Sequence, residues 1–237
     1  MQHFIARSQS SKKVLNTLRI SANLPVNILI VGEKGSGKRT LAKEVFEDLE
    51  FFTPDQIEQM QNVPATLGIE EIEEVANKPS FFEKLQGHRI IALAEELYPK
   101  LEEYFPVILH LPPLSQRPED FEALKNYYLH QAKKDLGLEK FECEVARELN
   151  AIELRKAIYK NAVLQTLSQE EVMEFLEEFF SKKLPDEYKA FMKYLDIPLL
   201  KAAKKRYGSV LAMAKALKLN RATLTTKLKK YGLKDKG

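Results

Sequence analysis

A single cysteine, Cys143, stands in 237 residues, so an internal disulfide is excluded and nothing argues for export. No run approaches the roughly eighteen apolar residues that a membrane-spanning helix requires. The opening residues 1–11 are polar and lack the apolar stretch of a signal peptide, so no membrane partner is expected, and a bacterial-type cytoplasm is the expected setting. The four histidines, His3, His88, His110 and His130, show no metal-ligand spacing with one another or with Cys143, and no metal site is expected. No pairing of a nucleophile with a base is visible either, which leaves covalent catalysis without support. What is present is ordinary for a globular chain: 30% charged and 44% hydrophobic residues, enough for one substantial core and a small second domain.

The formal net charge of +3 conceals an asymmetry. Residues 198–237 hold twelve Lys or Arg against one acid, Asp235, a balance of +11. The other 197 residues carry 25 basic and 33 acidic side chains, a balance of −8. An acidic body with a basic end is the pattern of a nucleic-acid anchor attached to a domain that does not itself bind nucleic acid. A solvated tail without structure is the plain alternative, and the helical periodicity of the segment argues against it.

The periodicity predicts three helices. Residues 199–207 form the first, with Leu199, Leu200 and Ala203 inward and Gly208 as the stop. Ser209 caps the second, over 210–217, with Leu211, Ala214 and Leu217 on one face. Asn220 caps the third, over 221–231, whose Leu224, Leu228 and Tyr231 recur at helical spacing before Gly232. Two short helices with a tight turn between them match the arrangement that lays a recognition helix in the major groove. On the third helix Arg221, Thr225, Thr226, Lys229 and Lys230 avoid the apolar stripe, and Thr223 and Lys227 flank it. With the capping Asn220 these are the candidate contacts to double-stranded DNA: lysines suit phosphates and Arg221 suits a guanine edge. The run from Asn220 (Asn-Arg-Ala-Thr-Leu-Thr-Thr-Lys-Leu-Lys-Lys-Tyr-Gly-Leu) resembles the DNA-binding end of the nucleoid protein Fis, a module that also closes NtrC-type activators of sigma-54 RNA polymerase. That resemblance implies a homodimer on a two-fold DNA site. Thr225 stands where Fis-like helices usually carry a basic residue, so the base preference is not transferable.

Near the other end, residues 26–31 (Val-Asn-Ile-Leu-Ile-Val) read as a short buried strand. Gly32-Glu33-Lys34-Gly35-Ser36-Gly37-Lys38 follows, and then an amphipathic helix over 39–49. Strand, glycine-rich loop ending in Gly-Lys, and helix are the parts of a phosphate-binding loop. Its glycines let backbone N–H groups face phosphates, and Lys38 reaches the β and γ oxygens. The candidate site for ATP or ADP is therefore Gly32, Glu33, Gly35, Ser36, Gly37, Lys38, Arg39 and Thr40. The strict motif places Ser or Thr directly after the lysine to hold magnesium; here that residue is Arg39, and Thr40 comes one position late. Magnesium is thereby left open.

Residues 4–46 resemble the opening of the AAA+ domain of NtrC-type activators, which also lack the hydroxyl and usually read Gly-Glu-Ser-Gly-Thr-Gly-Lys-Glu. Other stations of that domain are recognisable, each altered. Residues 66–75 (Thr-Leu-Gly-Ile-Glu-Glu-Ile-Glu-Glu-Val) resemble the Walker B strand, which implies Glu70 and Glu71 as the catalytic acid pair; the same glutamates read equally well as an acidic surface helix. Residues 88–92 resemble the sensor-one strand, with Glu95 in place of a polar Asn. Residues 111–120 (Leu-Pro-Pro-Leu-Ser-Gln-Arg-Pro-Glu-Asp) resemble the family's entry to its lid helices. Residues 150–155 resemble the sensor-two region, with Ile152 where the family has arginine and Arg155 one turn on.

The losses are as informative. About twenty residues separate Phe46 from the Walker B-like strand, and the Gly-Ala-Phe-Thr-Gly-Ala loop that touches the sigma factor in that family does not occur in the chain. Residues 97–105, matching the arginine-finger region, hold Lys100 and no arginine. An arginine finger alone contributes roughly 10³–10⁵ in rate, so slow or absent hydrolysis is expected. No receiver segment precedes the phosphate-binding loop, and no phosphorylation input is expected.

The sequence thus predicts an α/β fold: a P-loop AAA+-like core over 1–116, a helical lid and connecting helix over 117–184, and a small all-α Fis-like helix-turn-helix domain over 187–237. Between the lid and the basic end, residues 168–180 form the connecting helix, expected to pack on the lid or on a partner subunit, and 181–186, with Pro185, is the expected boundary. The expected function is a DNA-binding transcription regulator with a degenerate nucleotide-binding domain; the alternative is an ATP-hydrolysing sigma-54-dependent activator. Double-stranded DNA, a second copy of the chain, and RNA polymerase or a related activator subunit are the expected partners.

Overall fold

The computed structural model describes residues 3–182 and 188–233. Contacts divide the chain between Thr166 and Leu167. The first unit is built on five parallel strands: β1 (Ile28–Val31), β2 (Phe51–Phe52), β3 (Thr66–Ile69), β4 (Arg89–Ala94) and β5 (Val107–His110), in the spatial order β2-β3-β4-β1-β5. Parallel strands need crossover connections, and the helices that supply them cover both sheet faces. The period-2 alternation of β1 sends Leu29 and Val31 to one face and Ile28 and Ile30 to the other. Leu29 and Val31 join Leu67, Ile69, Ile90, Ala92 and Ala94 beneath Ile57, Ile72, Phe81, Phe82 and Phe105. Ile28 and Ile30 join Ile91, Leu93 and Leu109 against Leu15 and Leu18 of α1 (Gln9–Ser21) and Leu41 and Ala42 of α2 (Lys38–Val45).

Predicted boundaries shift by a few residues. The strand over 26–31 begins at Ile28, and the helix predicted over 39–49 is shorter, spanning Lys38–Val45. On one flank of the sheet lie α3 (Pro54–Gln59), closed by a capping box between Thr53 and Gln56, and α4 (Pro79–Lys84). The Walker B-like segment is a strand only to Ile69, and in place of the acidic surface helix expected as the alternative there is one 3₁₀ turn, Ile72–Val75.

Two long helices complete the first unit. α5 (Pro118–Asp135) starts on its proline, where the missing N–H costs no helical bond. α6 (Ala151–Thr166) is capped by Asn150, whose Oδ1 accepts the N–H groups of Ile152 and Glu153. Phe121, Leu124, Tyr128 and Ala132 of α5 pack on Leu154, Ile158 and Ala162 of α6, together with Leu114 and Phe141. These two helices stand where the sequence predicts the helical lid.

The predicted lid boundary needs correction. The helix expected over 168–180 is α7 (Gln169–Lys182), and it belongs to the second unit, so the division falls before it and not at 181–186. Residues 183–187, which include Pro185, lie outside the described residues. The reason is aromatic: Phe179 and Phe180 of α7 meet Tyr194 of α8 (Tyr188–Tyr207), and Phe180 also meets Phe191, with ring centroids 4.5–6.4 Å apart.

The rest of the second unit is α8, α9 (Val210–Ala216) and α10 (Arg221–Lys230), packed around Leu200, Ala203, Met213, Ala214, Leu224 and Leu228. Ser209 and Asn220 cap α9 and α10 as predicted, accepting the N–H groups of Ala212 and Ala222. Two inward assignments are wrong. Leu199 is 51% and Leu211 67% exposed. α8 runs through Pro198 without restarting, and its inner stripe is Asp196, Leu200 and Ala203, which rotates Leu199 outward. In α9 the inner stripe is Val210, Met213, Ala214 and Leu217; the three-residue spacing that suggested Leu211 drifts away from a 3.6-residue repeat. Among the described residues no helix is long and apolar enough to cross a membrane.

Candidate functional site

The glycine-rich loop leaves the C-terminal end of β1, at the centre of the sheet, and feeds α2. Gly35 and Gly37 have φ of +77° and +101°, a left-handed conformation that side chains strain to adopt. A β-carbon on Gly35 would lie 2.6 Å from Asn150 Oδ1, and one on Gly32 2.6 Å from the carbonyl oxygen of Leu111. The loop is therefore closed in by the cap of α6 on one side and by the chain leaving β5 on the other. The N–H of Ala151 donates to the Gly35 carbonyl at 3.1 Å, so the lid begins in direct contact with the loop.

Lys38 folds back over this loop. Its Nζ donates to the carbonyl oxygens of Gly32 at 2.6 Å and Glu33 at 3.1 Å. Burial pushes its pKa down, and the carboxylates of Glu95, Glu73, Glu33 and Glu70 oppose that shift. Ser36 is buried, and its Oγ has no hydrogen-bond partner among the described residues. A buried hydroxyl without a partner, beside positive-φ glycines at the start of a helix, fits a phosphate group.

The loop opens on a cavity of about 780 Å³, within the range of sites for nucleotide-sized ligands. Of the predicted nucleotide residues, Gly35, Ser36, Gly37, Lys38, Arg39 and Thr40 line it, as do Glu70 and Glu71; Gly32 and Glu33 lie behind the loop and only receive Lys38. Phe4, Ile5, Leu114, Leu124 and Tyr128 add apolar lining, suited to a planar base. Arg155 and Lys156 of α6 reach the cavity beside Ile152.

Sequence reasoning missed three contributors. Arg117 is 2% exposed; its Nη2 donates to the Ser36 carbonyl at 2.6 Å and its Nη1 to Asp120 Oδ2 at 3.3 Å. Asp120 Oδ1 in turn accepts the N–H groups of Arg7 and Ser8 at 2.6 and 2.7 Å. One buried ion pair thus joins loop, lid and N-terminal segment. That segment is the second contributor: the Phe4 ring lies 3.4 Å from the position of a β-carbon on Gly37, and the Arg117 guanidinium sits 5.9 Å from its centroid. The third is Glu73, which stands closer to the lysine's field than the glutamate pair alone suggested. Its Oε1 accepts the Glu95 N–H at 3.3 Å, and its Oε2 is buried without a partner among the described residues. The one local hint of Arg117 in the sequence is an acid three residues on, which does not by itself mark a buried pair.

In the second unit, Arg221, Thr223, Thr226, Lys229 and Lys230 are exposed along α10, opposite the buried Leu224 and Leu228, and Thr225 is half-buried. Thr225 and Thr226 return their hydroxyls to the carbonyls of Arg221 and Ala222. Lys227 differs from its neighbours: its Nζ meets Asp196 Oδ2 at 2.5 Å, and the Tyr231 hydroxyl donates to the same oxygen at 3.0 Å. Burial pushes the Asp196 carboxyl up, but the hydrogen bonds from Lys227 and Tyr231 outweigh it and hold the group below its ordinary pKa. Lys227 is therefore a strut between α10 and α8, turned away from the exposed basic face.

Residues 4–67 match the family model of the Sigma-54 interaction domain. Among solved structures the chain is similar to NtrX from Brucella abortus in complex with ADP, at a TM-score of 0.57 and 16% identity over 97% of this chain and 69% of that one. It is similar also to the same protein in complex with ATP, at a TM-score of 0.55 and 15% identity over 98% and 70%. Curated protein sequences offer no match. At such identity the likeness is one of fold, an α/β unit built on a five-stranded parallel sheet.

Proposed function

We propose that the chain is a DNA-binding transcription regulator whose AAA+-type domain binds ATP or ADP as a modifier of DNA binding, and not as an engine that remodels RNA polymerase. The observation that carries the reading is α10. It presents Arg221, Lys229 and Lys230 outward from a core-packed helix, behind a second capped helix and a tight turn, in a segment with a charge of +11. Phosphates are neutralised by such a face, and a helix of this size fits the major groove. The homodimer implied by the Fis-like sequence would set two such helices on a two-fold site.

Support for nucleotide comes from the loop conformation, the partnerless Ser36 hydroxyl and the apolar lining of the cavity. Support for weak hydrolysis comes from the sequence: no arginine in 97–105, Ile152 at the sensor position, and no sigma-contact loop. A second reading, an ATP-hydrolysing activator, rests on Glu71 and Arg155, which both line the cavity. Steady-state ATP turnover abolished by Lys38→Ala would favour that second reading over ours. For the DNA claim, duplex binding is compared between the full chain and one ending at Thr166. The shorter chain is expected to lose it; equal binding would overturn the assignment.

A further inference from the structure

P-loop sites hold magnesium through two positions: the residue directly after the loop lysine and the first acid beyond the Walker B strand. In this chain both positions are engaged with each other. Arg39 follows Lys38, Glu70 follows β3, and Arg39 Nη1 lies 3.0 Å from Glu70 Oε1. The arginine is held there from a second side, with its guanidinium carbon 5.2 Å from the centroid of the Phe51 ring. Phe51 is itself fixed in β2 opposite Gly68, where a β-carbon would come within 2.5 Å of the ring. A built-in cation thus occupies the electrostatic role of the metal and uses up the acid that would hold the metal's water. The residues present do not fit magnesium.

The consequence reaches the phosphates. A nucleoside diphosphate needs the loop N–H groups and Lys38, and both are in place. A third phosphate brings another negative charge, ordinarily neutralised by magnesium and by arginines. Here it would enter beside Glu73 and Glu95, which are joined by the Glu95 N–H to Glu73 Oε1 bond, and Glu73 Oε2 is already buried without a partner among the described residues. Both glutamates line the cavity next to Lys38.

We infer that the site is selective for a metal-free nucleoside diphosphate: the Arg39–Glu70 pair replaces magnesium, and Glu73 with Glu95 disfavours a terminal phosphate. This rests on the reading of the cavity as a nucleotide site.

The test is calorimetric titration of the full chain with ADP and with ATP, each with magnesium and with a chelator, using Lys38→Ala as control. The Kd for ADP is expected to change by less than about twofold on chelation, and ADP is expected to bind about tenfold or more tighter than ATP. Glu95→Gln, a change at an exposed position, should narrow the ADP-to-ATP ratio. Arg39→Thr, which frees Glu70 and supplies a hydroxyl after the lysine, should make magnesium strengthen binding. Wild-type binding that needs magnesium, or that favours ATP, overturns the inference while leaving the nucleotide site standing. No binding of either nucleotide overturns the site and the inference together.

Discussion

Among single residues, Arg117 has the largest structural role that its sequence context did not announce. It is buried with Asp120 between the phosphate-binding loop, the lid and residues 7–8. Burial lowers its pKa, with Asp120 opposing the shift, yet a guanidinium stays charged, so its removal leaves Asp120 buried with only backbone donors. Arg117→Ala is expected to cost about 3–5 kcal/mol, the range for breaking one side of a buried ion pair. A thermal melt of the full chain checks this, with an expected fall of roughly 6–20 °C in the midpoint. Gly35→Ala addresses a different property. Its φ of +77° and the 2.6 Å approach of Asn150 Oδ1 mean that a methyl group must displace the cap of α6. ADP affinity is expected to fall at least tenfold, while DNA binding measured without nucleotide is unchanged. The glycines themselves were legible, because a phosphate cradle dictates their spacing. Arg117 was not, because it bonds the Ser36 carbonyl 81 residues away and, through Asp120, is tied to residues 7–8, contacts that no periodicity encodes.

At the level of elements, strands and caps were read more accurately than helix faces. β1 was found because it is buried on both faces and so reads as an apolar run, whereas β3 and β4 were found through their resemblance to the Walker B and sensor-one strands. Ser209 and Asn220 were found because capping is local chemistry between a side chain and an N–H two or three residues away. Leu199 and Leu211 were misplaced because their helices are so rich in small and basic residues that several faces look half-apolar, and only the partner helix decides which is buried. Asp196 decides part of that choice. It is the single acid between residues 188 and 233, it is 9% exposed, and it joins α8 to α10 through Lys227 and Tyr231. Because its folded pKa lies below the unfolded value, this bond stabilises the folded form fully above the unfolded pKa of about 3.9 and is lost as pH falls through the lower folded value. The unfolding midpoint of the second unit should therefore hold steady down to about pH 5 and drop at more acid pH. Asp196→Asn should lower the neutral-pH midpoint and flatten that acid drop; an unaltered acid profile would show that other groups control it.

For the molecule as a whole, the basic region lies wholly within the second compact unit, which explains why composition located the DNA-binding candidate before any element was known. The acidic balance is divided evenly, with −4 in residues 1–166 and −4 in residues 167–197, and the basic balance belongs to the capped helices that follow. Composition could not place the division itself, because α7, with five glutamates and one lysine, carries the opposite charge from the basic helices yet holds to α8 through Phe179 and Phe180. The reading of the first unit as a modifier predicts steady-state ATP turnover slower by roughly 10³–10⁵ than that of an enzyme with its arginine finger in place. Adding arginine at Lys100 alone should not restore it, since the sensor position is Ile152. The central claim, that α10 carries DNA recognition, is tested most directly by fluorescence anisotropy of a duplex titrated with the full chain across a salt series. The account predicts a log affinity that falls steeply with log salt, and a loss of about one unit of slope for each of Arg221→Ala, Lys229→Ala and Lys230→Ala. Lys227→Ala should instead destabilise the fold with little change in slope. Full-affinity binding by the triple variant, with the wild-type salt slope retained, would contradict the account.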